Sequence, residues 1–294
     1  MTGPVLVLGG TGRLGRAVVA ELTRRGRAFD APSRAEFDLS AVASVVGLLD
    51  TLCPAAVLNL VGFTDVAAAE RPENVEAVIA LNVELPAVLA RACTRFAMPF
   101  VHVSTDYVFD GAQSRPYFEG DSVNPLQVYG ATKLDGERAV LARNPNALIL
   151  RVSTLFGPGR DQQPAYVDAI LRQAKASAAT GGGVLEVVDP PVSSPTYAPD
   201  VAPVLVDLLD RGVTGIVHAV NDGAASRLEL AQATVVLAGL GDRVTVRARP
   251  ESSSGLRRPA YSVLDTSRLH RLLGRRLPPW KDALERYVAK RAEP

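Results

Sequence analysis

The first 155 residues alternate between short apolar runs and longer segments in which apolar residues recur every three or four positions. Apolar runs at 4–8, 55–61, 100–103 and 147–151 have the length and β-branched content of buried strands. Helical spacing is found between them, at 14–25, 40–52, 74–96 and 129–143. Strands that alternate with helices predict a doubly wound α/β fold with a parallel sheet covered on both faces.

After about residue 155 this alternation gives way to clusters of Gly, Pro and Ser that are typical of loops, at 156–164, 181–183 and 190–199. We therefore expect one domain over 1–155 and a smaller mixed α/β region over 156–294 that mainly binds substrate. The runs at 184–188 and 215–220 have strand character, and we expect both to return to the first sheet.

Composition and charge exclude several classes of function. The 294 residues carry 32 Lys+Arg and 31 Asp+Glu, so a formal net charge of +1 gives no reason to expect nucleic acid or an anionic membrane as partner. Neither a signal peptide nor an apolar stretch of the ~18 residues that span a bilayer is expected. Two cysteines without a CxxC motif favour the reducing cytoplasm, and three separated histidines argue against a metal site.

A glycine-rich turn, GGTGRLG, follows the first predicted strand and opens the first predicted helix. Its glycines let backbone approach a pyrophosphate, and the helix N-terminus offers N–H donors and a partial positive charge. A strand–turn–helix with this motif indicates a dinucleotide-binding Rossmann domain, although a β–α turn without a ligand is the alternative. The predicted cofactor contacts in this turn are Gly9, Thr11, Gly12, Arg13, Leu14 and Gly15.

The end of the second predicted strand decides which nicotinamide cofactor is expected. An acid there bonds the ribose 2′-OH of NAD, whereas a cation favours the 2′-phosphate of NADP. Asp30 follows Gly9 by nearly the ~20 residues that separate such an acid from the glycine turn. However, the pattern places Asp30 inside the strand, and the turn that follows contains Ser33 and Arg34. Arg34 together with Arg13 supplies planar donors suited to phosphate, so NADPH is favoured, with NADH left open. The alternative is that both arginines are solvated surface residues.

Tyr129 and Lys133 stand four residues apart at the start of a predicted helix, which places them on one face. A free tyrosine with a pKa of about 10 is a poor acid near neutrality. A nearby lysine and a bound nicotinamide are both positive, favour the phenolate and lower that pKa. We therefore predict that Tyr129 donates a proton to a carbonyl while a hydride reaches its carbon.

A second polar element, Ser104-Thr105-Asp106, comes directly after the apolar run 100–103. Ligands of parallel sheets bind at the carboxyl ends of strands, so Thr105 is placed to hydrogen-bond a substrate carbonyl beside Tyr129. Ordinary turn chemistry is the alternative explanation of these three residues.

Six strings resemble the dTDP-4-dehydrorhamnose reductase family, within the extended short-chain dehydrogenases/reductases, and they are spread over nearly the whole chain. They are GGTGRLG (9–15), STDYVFDG (104–111), PYFEGD (116–121), NPLQVYGATKLDGE (124–137), SSPTYAPDVA (193–202) and RRPAYSVLDTSRL (257–269). The resemblance implies reduction of the 4-keto group of a nucleotide-linked 6-deoxyhexose, with dTDP the expected nucleotide.

The resemblance also implies roles for individual residues. Thr105, Tyr129 and Lys133 are implied to be catalytic, with Lys133 also on the cofactor ribose, and Asn82 matches a helix-borne asparagine of the family. Further expected cofactor contacts are Asp38, Leu39, Gly62, Phe63, Thr64, Val103 and Tyr129. Expected substrate contacts are Thr105, Asp106, Tyr107, Thr154 and Arg258. Arg258 is placed here because Arg257-Arg258 could meet a diphosphate, with solvated or structural arginines as the equal alternative.

Departures from the family pattern cluster where sugar and nucleotide are expected. Thr154 stands where a tryptophan is usual, Ala165-Tyr166 where Asn-Phe is usual, and Pro190-Pro191 where Asp-Gln is usual. The catalytic residues are kept while pocket residues differ, which favours a substrate that is a different keto-deoxysugar, as in a specialised deoxysugar pathway. Neutral drift of the pocket around the same substrate is the alternative.

Two other functions stay open. A non-catalytic nucleotide-binding regulatory subunit of the same fold would not need to keep Thr105, Tyr129 and Lys133 together. A sugar-nucleotide epimerase or dehydratase would need a tightly held NAD and a further acid or base, for which Asp106 and Tyr107 are the nearby candidates. The oligomeric state is open, and a homodimer is compatible with the resemblance.

Overall fold

The computed structural model describes residues 3–33, 42–159, 164–189, 191–249 and 256–292. The strands of the described residues are β1 (Val5–Leu8), β2 (Phe29–Asp30), β3 (Ala56–Asn59), β4 (Phe100–Thr105), β5 (Leu148–Val152), β6 (Leu155–Phe156), β7 (Gly183–Val188), β8 (Val192–Ser193), β9 (Thr196–Tyr197), β10 (Gly215–His218), β11 (Ala225–Ser226) and β12 (Val244–Arg249). The α-helices are α1 (Arg13–Arg24), α2 (Val42–Leu52), α3 (Val66–Ala69), α4 (Val75–Ile79), α5 (Leu85–Arg95), α6 (Val128–Arg143), α7 (Tyr166–Ala179), α8 (Ala198–Asp210), α9 (Arg227–Leu237), α10 (Ser267–Leu273) and α11 (Trp280–Ala292).

Six parallel strands form the central sheet, in the order β10-β5-β4-β3-β1-β2. The residues of β1, β3 and β5 are buried along their whole length, as their continuous apolar runs predicted. The chain leaves β1 towards β2 on one side and later resumes at β3 on the other. This reversal opens a crevice beyond the carboxyl ends of β1 and β3, where ligands of such sheets bind.

Two apolar layers cover the faces of this sheet. One face packs on α1, α8 and α10, with Val18, Leu205 and Leu269 fully buried. The opposite face packs on α2, α5 and α6, through residues such as Leu89 and Val140. These layers confirm the predicted doubly wound α/β class.

The second half of the chain divides between the central sheet and a smaller region. Strand β10 joins the sheet beside β5, as expected for the run at 215–220, and α8 packs on α1. The smaller region is built on α7, α9 and α11, with Trp280 and Tyr287 buried among them. The division at residue 155 therefore stays a prediction.

The run at 184–188 does not return to the central sheet, contrary to expectation. It lies in β7, which pairs in parallel with β12 as a separate two-stranded sheet packed on α7 and α9. The physical reason is the burial pattern: Leu185 and Val187 are buried, while Val184 and Glu186 between them are exposed. A strand with one solvated face cannot lie inside a sheet that is covered on both sides.

One helical stretch within the described residues, Pro72–Arg95, has the length and apolar composition of a membrane span, with a mean hydropathy of 1.5 in its most apolar window. No stretch of this length and composition was expected from the sequence. Half of that window is buried in the protein, where α5 packs on α6 and on the central sheet. Between α4 and α5 the helix widens into a π-helical turn, Ala80–Glu84, which contains the buried Asn82.

Candidate active site

The glycine turn lies at the carboxyl end of β1 and leads into α1. Gly9 has a φ of +85°, in the left-handed region that favours glycine, and its carbonyl accepts a hydrogen bond from the Gly12 N–H at 2.9 Å. A Cβ at Gly15 would lie 2.0 Å from the Gly9 oxygen, so a side chain there cannot fit without moving backbone. The turn is thus a tight backbone cradle at a helix N-terminus, which suits the pyrophosphate of a dinucleotide.

The side chains of this turn have different roles. Leu14 is buried in the core, so it offers a ligand only its backbone N–H. Arg13 donates from Nε to the Gly157 carbonyl at 3.1 Å and from Nη2 to Asp168 Oδ2 at 3.5 Å. It therefore ties the turn to the start of α7. The backbone of Thr11 is held at its carbonyl by Arg16 Nε at 3.2 Å.

The residues predicted to select the cofactor are only partly described. Asp30 is the last residue of β2 and pairs with Leu6, so it lies at the strand end rather than inside the strand. Ser33 follows three residues after Asp30, outside any helix or strand, while Arg34, Asp38 and Leu39 lie outside the described residues. The position of Asp30 is the one from which an acid contacts a ribose hydroxyl.

Helix α6 carries the Tyr129–Lys133 pair against β4 and the turn that follows it. Gly130 allows this approach, because a Cβ there would lie 2.2 Å from the Tyr107 carbonyl oxygen. The rings of Tyr129 and Tyr107 meet edge to face, with centroids 6.0 Å apart. The predicted pair is therefore fixed beside the polar segment that follows β4.

Lys133 is buried and is held by two partners from β4. Its ammonium nitrogen donates to the Val103 carbonyl at 2.7 Å and lies 3.3 Å from His102 Nε2. Burial lowers the pKa of Lys133 to about 8, and the charge of Glu137, one turn further along α6, opposes that shift. Lys133 can thus lose a proton near neutral pH.

The pKa of Tyr129 does not follow the expected direction in the protein alone. Burial raises this pKa and the charge of Asp106 raises it further, while the neighbouring Thr105 hydroxyl opposes the rise. A raised pKa keeps Tyr129 protonated and ready to act as an acid. The predicted lowering of the Tyr129 pKa then depends on the positive charge of a nicotinamide bound in the crevice.

Thr105 ends β4 and lies beside Tyr129, as predicted. Its hydroxyl donates to Asp106 Oδ1 at 3.1 Å and accepts from the Tyr107 N–H at 3.2 Å. The other oxygen of Asp106 accepts from Ser153 at 2.8 Å and Ser262 at 2.6 Å. Burial raises the pKa of this carboxyl to about 6. Asp106 is therefore saturated by three hydroxyls and anchors Thr105 from behind.

The segment Gly62-Phe63-Thr64 follows β3 at the same edge of the sheet. Asn82 fixes it, accepting from the Phe63 N–H at 2.8 Å and donating to the Phe63 carbonyl at 3.3 Å. The Asn82 amide also donates to the Thr132 hydroxyl on α6 at 3.1 Å. The π-helical turn thus joins the predicted cofactor segment to the helix that carries Tyr129 and Lys133, a placement found at functional sites.

A small cleft beside Tyr107 is lined by residues of the second half of the chain, among them Thr154, Tyr166, Ser193, Arg227 and Ser262. Thr154 has a φ of +35°, which strains a β-branched residue, and its hydroxyl lies 2.7 Å from that of Ser193. The Arg227 guanidinium lies over the Tyr166 ring, and its charge favours the Tyr107 phenolate. Arg258 is close enough for its charge to favour the Tyr107 phenolate. The cleft therefore combines aromatic faces with two cations.

The structure thus gathers most of the predicted residues at the carboxyl ends of β1, β3 and β4. A family model described as "RmlD substrate binding domain" matches residues 2–293. The chain belongs to the RmlD family. This confirms the resemblance that the six sequence strings indicated.

Individual RmlD relatives are similar along nearly their whole length. A dTDP-4-dehydrorhamnose reductase of Mycobacterium tuberculosis is 38% identical over 97% of this chain and 92% of its own length. A probable dTDP-4,6-dihydroxy-2-methyloxan-3-one 4-ketoreductase of Streptomyces antibioticus is 35% identical over 95% and 92%. The crystal structure of a Bacillus anthracis dTDP-4-dehydrorhamnose reductase in complex with NADP superimposes with a TM-score of 0.90, at 25% identity over 99% and 100% of the two chains.

Sequence reasoning missed several residues of this RmlD-family site. His102 and Asn59 lie behind Lys133, Ser153 and Ser262 bind Asp106, and the charge of Arg227 acts on Tyr107. A signal was available for His102 and Asn59, because a polar residue inside an apolar strand needs a hydrogen-bond partner. No local pattern pointed to Arg227, which lies far along the chain from the residues it meets.

Proposed function

We propose that this chain is a cytoplasmic, NADPH-dependent reductase of the C4 ketone of a dTDP-linked 4-keto-6-deoxyhexose. The observation that carries the proposal is the convergence of Thr105, Tyr129 and Lys133 beside a glycine cradle in one crevice. A regulatory subunit that only binds nucleotide has no use for an acid, a hydroxyl and a lysine held in this arrangement.

The residues present fit a nicotinamide dinucleotide. The backbone cradle of Gly9–Gly15 suits its pyrophosphate, and Gly62–Thr64 with Lys133 suit the ribose next to the nicotinamide. When bound, the reduced cofactor supplies the hydride that reaches C4 of the sugar. NADPH is supported by the NADP complex of the Bacillus anthracis relative. Asp30 at the end of β2 makes NADH use worth measuring.

The chain's own residues handle the proton and the orientation of the ketone. Tyr129, protonated because burial raises its pKa, gives its hydroxyl proton to the ketone oxygen. Thr105 lies beside Tyr129, and its single hydroxyl hydrogen, which is donated to Asp106 Oδ1 in this structure, turns to the ketone oxygen when the substrate binds. Lys133 returns a proton to the phenolate that is left. Tyr107 and Arg227 line the cleft, and the charge of Arg258 reaches Tyr107; a nucleotide diphosphate suits this side, since guanidinium groups bind phosphate oxygens in planar pairs.

The sugar itself belongs to the same proposal. Thr154 replaces a bulky aromatic residue and lies against Ser193 in a narrow polar part of the cleft. The Streptomyces antibioticus relative is named for a dTDP-linked ketone other than dehydrorhamnose. We therefore favour a keto-deoxysugar that differs from dehydrorhamnose at the position facing Thr154.

The test is a panel of dTDP- and UDP-linked 4-keto-6-deoxysugars mixed with the protein and NADPH or NADH, with loss of reduced-nicotinamide absorbance as the signal. Tyr129→Phe is expected to lower kcat by about 10²–10⁴-fold, because it removes the proton donor. NADPH affinity, measured by fluorescence titration, is expected to change less than about twofold. Absence of oxidation with every sugar, together with intact NADPH binding, would refute the proposal and favour a binding subunit.

A further inference from the structure

A chain of buried polar groups lies behind Lys133 and takes no part in the mechanism above. Asn59, the last residue of β3, and His102, in the middle of β4, are both fully buried. Asn59 Nδ2 lies 3.1 Å from His102 Nδ1, and His102 Nε2 lies 3.3 Å from Lys133 Nζ. The side-chain oxygen Oδ1 of Asn59 accepts from the Val61 N–H at 3.2 Å.

The Val61 N–H fixes the direction of every hydrogen bond in the series from Asn59 through His102 to Lys133. A backbone N–H can only donate, so the Asn59 atom facing Val61 must be the oxygen and the atom facing His102 must be the NH₂ group. His102 Nδ1 must then accept. Burial and the charge of Lys133 lower the pKa of His102, so its ring is neutral and carries its hydrogen on Nε2. That N–H points at the Lys133 nitrogen.

We infer that Asn59 and His102 form a positioning pair that directs an N–H donor at Lys133 and stabilises its neutral amine. An ammonium has no lone pair to accept this hydrogen, whereas a neutral amine accepts it and still donates to the Val103 carbonyl. The neutral amine is the form that Lys133 takes after it has returned a proton to Tyr129. This inference rests on the proposed function for its catalytic meaning.

The proton balance of the step is simple. The Tyr129 O–H bond breaks as the O–H bond of the product alcohol forms. A Lys133 N–H bond then breaks as the Tyr129 O–H bond forms again, which leaves the amine facing His102. The amine regains its proton from solvent before the next turnover. His102 gains and loses no proton, and its role is to lower the proton affinity of Lys133.

The charged groups around Lys133 are consistent with this role. On α6, the carboxylate of Glu137 raises the pKa of Lys133, but its charge is matched by Arg151 on β5 at 2.7 Å. On β4 the facing group is the neutral His102, and the π-helical turn contributes the neutral Asn82. Burial acts in the same direction as the His102 donor.

Asn59→Asp tests the pair, because aspartate keeps an oxygen for the Val61 N–H but places a second acceptor against His102. The ring then carries its hydrogen on Nδ1 and turns the Nε2 lone pair towards Lys133, which favours the ammonium. We expect the limb of the kcat pH profile governed by Lys133 to move up by about one pH unit, a tenfold gain in proton affinity. Ser104→Ala is the matched control, since this buried hydroxyl on the same strand has no hydrogen-bond partner among the described residues. It should leave the limb in place.

A second readout needs neither sugar nor turnover. ¹⁵N NMR of the intact wild-type protein, with three histidines to assign, is expected to show His102 protonated on Nε2 and without an imidazolium form from about pH 6 to 8. Wild-type His102 protonated on Nδ1 would overturn the inference, whether or not any sugar is reduced. A pH limb that stays in place or moves down in Asn59→Asp would overturn it as well. Failure of the whole sugar panel with the expected tautomer would count against the proposed function alone.

Discussion

The buried ion pair between Glu137 and Arg151 offers a direct test of how the site is held. Glu137 lies one turn beyond Lys133 on α6, and Arg151 lies on β5 beneath it. The guanidinium donates to both carboxylate oxygens, at 2.9 and 2.7 Å, and each side chain is 2% exposed. The pair therefore fixes the register of the catalytic helix on the sheet. Glu137→Gln keeps the shape of the side chain but leaves the Arg151 charge buried without a counter-ion.

The magnitude follows from the burial of both partners. Removing one member of a buried pair costs about 3–5 kcal/mol, because the remaining charge keeps its desolvation penalty. Domains of this size lose roughly 2 °C of Tm per kcal/mol, so Glu137→Gln is expected to lower Tm by about 6–10 °C. The double variant Glu137→Leu/Arg151→Met removes both charges and should recover most of this loss, since an apolar replacement of a buried pair is often neutral.

Denaturant unfolding of the wild type, Glu137→Leu, Arg151→Met and their double variant forms a complete cycle, and Glu137→Gln is measured beside it. The activity readout is the pH profile of kcat, because loss of the Glu137 charge should also lower the pKa of Lys133 further. A loss below about 1 kcal/mol in Glu137→Gln would refute the reasoning. It would mean that water or another anion reaches Arg151.

Two further predictions concern the carboxyl behind Thr105 and the glycine turn. Burial raises the pKa of Asp106 from 3.8 to about 6, so ionisation of this carboxyl destabilises the folded protein as the pH rises from 4 to 6. Asp106→Asn does not ionise, and its stability relative to wild type should therefore increase by up to about 3 kcal/mol over this range, as measured by thermal unfolding. A stability difference that does not depend on pH would contradict this. Gly15→Ala places a Cβ 2.0 Å from the Gly9 oxygen and should weaken NADPH binding at least about tenfold in a fluorescence titration. Unchanged affinity would show that the turn does not hold the dinucleotide.

Local patterns predicted the elements that carry the site. The apolar run before Gly9 became β1, and the periodic segment after it became α1. The spacing of Tyr129 and Lys133 was already informative, because residues four apart share one face of any helix. The strand at 184–188 shows the limit of such reasoning: its apolar character predicted a strand, but the sheet that it joins depends on which of its faces meets other elements.

The sequence by itself therefore determined the fold class, the nucleotide turn and the tyrosine–lysine pair, since hydrophobic period and helical spacing are properties of neighbouring residues. Only the tertiary structure decided how these groups are tuned. His102 lies 43 residues from Asn59 and 31 from Lys133, and the three hydroxyls on Asp106 come from three separate segments. Strand order and helix packing bring such partners together. The burial that shifts their pKa values exists only once the layers have closed over them.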